Sequence, residues 1–167
     1  SGIAGGVGGA LFGVVLMILL FTCVTFHELG HSVAAKYFGI PVREIILLPL
    51  GGVAQLSRNP DKPLHELIIA AAGPLVNVLI AGLLLIPLGA ELRMNLLDGQ
   101  GLLPDARSTS FTTLLFWLLA ANISLVVFNL IPAFPLDGGR ILRALMAMVM
   151  GYQRATRIAA TIGQTIA

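Results

Sequence analysis

Two imidazoles and a carboxylate stand within five residues of one another at Phe26-His27-Glu28-Leu29-Gly30-His31, inside an otherwise apolar run. On an α-helix His27 and His31 project from one face and can share a single metal ion, while Glu28 lies on the flank of that face. A carboxylate so placed can take a proton from water beside the metal, the chemistry of a zinc peptidase with glutamate as general base. The plain alternative is two histidines that share a helix face and either pack or point at water. The setting weighs against it, because ionisable side chains within a membrane segment are costly and usually functional.

That setting follows from composition. The chain has 167 residues, 57% of them hydrophobic and 11% charged, with a mean hydropathy of +0.94. Ordinary soluble domains do not have this composition, which excludes a soluble zinc peptidase. Three runs, over residues 10–38, 64–88 and 111–131, are long enough to cross a hydrocarbon core of roughly 30 Å. The first carries the histidine motif near its C-terminal end, before Gly39 and Pro41 stop the helix. From His31 to Phe38 is about 10 Å of helix, so the site lies inside the bilayer by only a turn or two.

The remaining segments must bring other groups to that depth. Residues 42–48 (VREIILL) are β-branched, Pro49 interrupts them, and after Gly51-Gly52 the stretch from Val53 to Leu56 can pair back as a short membrane-associated β-hairpin. Irregular backbone near membrane depth is tolerated only where protein or a water-filled cavity covers it. Gly51, Gly52 and Val53 are therefore read as a substrate-facing edge, against the plainer reading of an amphipathic connector. Within the second span, Pro74 predicts a bend that leaves the Ala70 carbonyl open, and Asn77 lies one turn after Gly73 on the same face. A buried amide there either glues helices together or holds substrate. Residues 90–110 form one long polar connection without a catalytic pattern. Pro132 and Pro135 end the third span, a short helix is expected over 141–150, and another begins at Tyr152. The fold class is an all-α polytopic membrane protein: a three-span core with a short hairpin and additional short C-terminal helices.

Catalytic zinc takes three protein ligands and leaves a fourth position open. The unassigned candidates are Glu44, Asp61, His65, Glu66, Asp98, Asp105 and Asp137. Asp98 and Asp105 fall on the far side of the membrane, Asp61 is in a polar turn, and Glu44 adjoins Arg43. His65 and Glu66 stand at the mouth of span two, where an acid suits a helix N-terminus without any metal. Asp137 lies between apolar IPAFPL and a Gly-Gly pair, and two crossings return it to the side of the histidines. It could ligate the metal or cap the helix that follows, and the two roles are compatible if each uses one oxygen. Asn129, near the exit of span three, could donate to an oxyanion or simply pack.

Charge sets orientation rather than partner. Ten basic residues against eight acids give a net charge of +2, too small for a nucleic-acid binder. Lys36, Arg43, Arg58, Lys62, Arg140, Arg143, Arg154 and Arg157 share the side of the site, against Arg93 and Arg107 opposite. By the positive-inside tendency the site faces the cytoplasm. Cys23 alone can form no internal disulfide. Residues 1–9 are Gly-rich without a basic segment, so they are no signal peptide, and the chain is expected to begin part-way into a longer protein.

Three stretches together, FHELGH (26–31), AAAGPLVN (70–77) and NLIPAFPLDGGR (129–140), resemble the site-2 protease family of intramembrane metalloproteases. The resemblance covers about two-thirds of the chain, in the family's order. It implies that His27, His31 and Asp137 ligate one Zn²⁺, that Glu28 is the catalytic acid/base, and that Asn129 matches the family's motif asparagine. It implies too an integral, multi-pass membrane protein that cleaves a membrane-anchored protein substrate, for which the residues themselves offer Asn77, Gly51, Gly52 and Val53 as contacts. LLPLGGVAQL (47–56) looks like the branch acting on signalling or sigma-factor precursors. Residues 1–167 then read as a single membrane-embedded metalloprotease core, truncated at both ends, with neither a CBS nor a PDZ domain. Two rivals are a non-proteolytic membrane-protein binder of the same fold and a metal transporter. Transport calls for ligands leading to the far face, where the spans offer little beyond Asn122 and Ser124.

Overall fold

The computed structural model describes residues 2–48, 51–56, 60–97 and 110–166. Asp98, Asp105, Arg58 and Arg107 lie outside them, as does the polar connection from residue 98 to 109. The element order is α1 (Gly2–Tyr37), β1 (Val42–Leu48), β2 (Gly51–Leu56), α2 (Pro63–Leu97), α3 (Phe111–Asn129), α4 (Asp137–Met150) and α5 (Tyr152–Ile166). Three of the helices are long and apolar enough to cross a membrane, over Gly6–Tyr37, Pro63–Glu91 and Phe111–Asn129. Their outward faces carry large apolar side chains such as Leu11, Met17, Leu79, Leu83 and Val127. Lipid is the solvent such faces require.

Helix α1 buries one stripe, Cys23, His27, His31 and Ala35, with Glu28 and Ser32 beside it. The four-residue spacing of that stripe makes a single face of a helix. It includes the whole histidine motif, so the metal-binding types point into the protein and not into lipid. The helix stops at Tyr37, six residues after His31. Gly39 takes φ +70, a region open to glycine. Its N–H donates to Lys36 O at 2.9 Å, and that of Ile40 donates to Ala35 O at 3.0 Å. This pair of bonds satisfies carbonyls the helix end would otherwise strand. Ile40 packs on Ala35 and Ile69, tying the helix end to α2.

Helix α2 is central, packing on α1, α3 and α4, while α5 lies on α4. It runs through Pro74 and Pro87 and reaches Leu97, nine residues beyond the expected end at Leu88. The added segment, GAELRMNLL, is rich in strong helix formers, so the polar connection begins later than its composition suggests. Helix α4 begins at Asp137 instead of residue 141. Gly138 and Gly139 are helical here because space demands it. A Cβ on Gly138 would meet Ile131 O at 2.3 Å, and one on Gly139 would meet Ala133 C at 2.8 Å. Their weak helix propensity is overridden by the close approach of the 130–134 segment. Between α1 and α2 the two strands pair antiparallel, with Ile46 opposite Val53 and Leu48 opposite Gly51.

Candidate metal centre

Three elements supply the site. His27 and His31 come from α1, Asp137 from the first turn of α4, and α2 closes over them. All three side chains are buried, at 4%, 3% and 7% exposure. His27 Nε2, His31 Nε2 and Asp137 Oδ2 form a triangle whose sides are each 3.1 Å. The capping role considered for Asp137 is not what the structure records. Leu136 occupies the N-cap, no side-chain cap bond is made, and Asp137 sits inside the helix with its carboxylate free to face the rings. Its second oxygen lies 4.0 Å from Arg140 Nη1.

Protonation makes this triangle informative. His31 Nδ1–H donates to the Ile69 carbonyl of α2 at 2.7 Å, which leaves Nε2 of the neutral ring as a lone pair. That lone pair faces a carboxylate oxygen at 3.1 Å, two acceptors in contact. Such an arrangement is stable only with a proton or a cation between them. Donors around a tetrahedral zinc at ~2.0–2.1 Å lie roughly 3.3 Å apart, so the triangle fits that ion closely. A main-chain carbonyl holding the far side of a ligating imidazole is also the support such sites need. The donors of His27, His31 and Asp137 meet as the described group able to hold a metal. Without an ion, ring protons fill that role: burial opposes the charge of Asp137, but the two rings donating to it prevail and hold its carboxyl down to about 2.

The lid over this group is Gly73. A Cβ at that position would stand 2.2 Å from His31 Nε2 and 2.7 Å from His27 Nε2. Only a glycine lets the α2 backbone approach so near. One turn on, Asn77 is wholly buried and both of its amide atoms lack a hydrogen-bond partner. The expectation that it glues helices is not met. The carbonyl that His31 takes from α2 is that of Ile69.

Glu28 is buried beside His27 at 5% exposure. Asn129 is the last residue of α3, half-buried, and makes no hydrogen bond with the triad. The main chain of Gly51, Gly52 and Val53 lies in β2, paired with Leu48, Leu47 and Ile46. Among the residues set aside, Glu66 proves to be more than a helix-end acid. It is 1% exposed and ion-paired with Arg143 of α4. The sequence signal was available, since a carboxylate seven residues before Gly73 falls on the same buried face of α2.

The fold and this site define a protein with membrane-spanning-length helices in which the two histidines of an HExxH motif meet a distant aspartate in a buried group able to hold a metal ion. The description of peptidase family M50 matches residues 15–93 and 94–167, and the chain belongs to that family. It is 44% identical to a zinc metalloprotease of Methanocaldococcus jannaschii over 95% of this chain and 42% of that protein. It is 29% identical to stage IV sporulation protein FB of Bacillus subtilis over 85% of this chain and 44% of that one. The solved site-2 protease from Methanocaldococcus jannaschii superposes with a TM-score of 0.66 at 39% identity, covering 96% of this chain and 74% of that structure. The chain thus spans about two fifths of the length of the curated relatives it matches.

Proposed function

We propose that residues 1–167 form the catalytic core of an intramembrane zinc endopeptidase, cutting a peptide bond in or near a transmembrane helix of a membrane-anchored protein. The observation that carries this reading is the 3.1 Å triangle of His27, His31 and Asp137, buried at the end of an apolar span. Zinc held by these residues would supply a Lewis acid and bring the pKa of bound water to about 7. The Glu28 carboxylate takes the proton from water and returns it to the departing amine, one group serving as base and then acid. Burial in a low-dielectric interior keeps this exchange local.

A transmembrane helix hides its carbonyls in its own hydrogen bonds, so the substrate must unwind before it can be cut. Unwinding exposes orphan donors and acceptors that the enzyme must satisfy. The free edge of the strand pair at Gly51, Gly52 and Val53 offers main-chain partners for an extended segment. Asn77 offers one donor and one acceptor, the complement of a peptide unit, and Asn129 is assigned to the developing oxyanion. The excess of basic residues beside the site orients it to the cytoplasm. Its substrates are membrane-anchored precursors, of which transcription-factor and sigma-factor precursors are the class favoured by residues 47–56.

The test is a cleavage assay on the purified chain with a transmembrane substrate. Glu28→Gln is expected to lower the rate by about 10²–10⁴-fold while metal content stays at one per chain. Chelation should silence the wild type, with zinc restoring it. Undiminished cleavage by a clean, metal-loaded Glu28→Gln preparation would remove Glu28 from this role.

A further inference from the structure

Arg143 of α4 is gripped from two sides. Its Nε donates to Glu66 Oε1 at 2.8 Å, and Nη2 donates to the same oxygen. The guanidinium carbon also lies 5.3 Å from the centre of the Phe134 ring, on the segment leading into α4. Glu66 is 1% exposed, so the pair is anchored inside the protein and is not a surface contact. Beside the pair, the hydroxyl of Tyr152 of α5 donates to Pro60 O at 3.1 Å. Burial, with the neighbouring Glu66 carboxylate, pushes that hydroxyl up to about 12, as a negative charge beside it requires.

The placement of the pair along the two helices gives it a further meaning. Glu66 precedes Ile69, whose carbonyl orients His31, by three residues or about 4.5 Å of helix. Arg143 follows Asp137 by six residues, about 9 Å along α4. One end of the pair therefore sits on the helix that orients an imidazole, and the other on the helix that carries the carboxylate. Within the zinc reading above, we infer that the Glu66–Arg143 pair positions the metal centre, fixing how far the Asp137 carboxylate stands from the two imidazoles. Neither residue touches the ion; both act through the helices they join. A guanidinium that sets two N–H groups on one carboxylate oxygen while lying over a ring has a defined direction, which an ammonium lacks, so the pair sets geometry as well as proximity.

The test uses the whole chain, stripped of metal and held in lipid nanodiscs, with Co²⁺ binding followed by its visible absorption and Zn²⁺ binding by competition. Glu66→Gln and Arg143→Lys are each expected to weaken metal binding about tenfold or more, the scale of outer-shell losses at metal sites. The Co²⁺ bands at saturation should also shift, because the donors no longer meet at the same distances. The exchanged pair, Glu66→Arg with Arg143→Glu, should recover part of the affinity. Leu145→Ala, on the exposed face of α4, should bind as wild type. Folded single variants with wild-type affinity and an unchanged spectrum overturn the inference, since a pair that merely stabilises the fold leaves the loaded site as it was. Should Glu66→Gln fail to fold, Arg143→Lys decides alone, because it keeps the cation and alters only the fork. A wild-type chain that binds no metal, or a His31→Ala chain that binds as well as wild type, overturns the metal-centre reading and this inference with it.

Discussion

His31 is held at Nδ1 by the Ile69 carbonyl, and its Nε2 meets His27 and Asp137 across a gap that a proton or a cation must fill. The histidines, Glu28 and the candidacy of Asp137 were legible because side-chain type and spacing announce metal chemistry. The Ile69 carbonyl was not, since every residue has one and nothing in a sequence marks which will be recruited. Gly73 was visible only as the neighbour of Pro74, and its use as a gap against two imidazoles depends on how α1 and α2 cross. Gly73→Ala brings a methyl group within 2.2 Å of His31 Nε2, so metal binding should fall by well over tenfold while the chain remains helical, as metal analysis and circular dichroism will show. Asp137 gives a pH dependence of known sign. Its folded carboxyl titrates near 2, below its ordinary 3.8, so its contribution is complete above that ordinary value and is lost as pH falls toward 2. In the metal-free chain, wild type should exceed Asp137→Asn by about 2 kcal/mol at pH 6 and converge with it near pH 2, measured by chemical unfolding.

At the scale of elements, the three long apolar helices were read correctly from hydropathy, because a bilayer leaves a long apolar run few choices beyond a helix. The boundaries that moved are those where packing overrides propensity. Gly138 and Gly139 look like a break before a helix, yet they form its first turn, since they alone fit against the Ile131 and Ala133 backbone. That turn also aims Asp137. Gly138→Ala must push α4 away from Ile131 O, with an expected loss of about 1–3 kcal/mol in stability by thermal unfolding and a parallel loss of metal affinity. The N-terminus of α3 offers a gentler test. Ser110 accepts the Thr113 N–H at 3.2 Å, and Ser110→Ala should cost about 1 kcal/mol with metal binding unchanged.

For the whole molecule, the arrangement of charge predicts a direction of insertion. Lys62 and Arg93 are both exposed, near opposite ends of α2. The native Cys23 is buried and will not interfere. In inside-out vesicles a cysteine at Lys62 should react with a membrane-impermeant maleimide and one at Arg93 should not; the reverse pattern would place the site on the outer side.

The bond from His31 to Ile69 spans two helices that a substrate must part if it enters between them. Parting them far enough to break this 2.7 Å bond would free the ring to turn or change tautomer, so under the proposed function a widely opened cleft would be chemically idle.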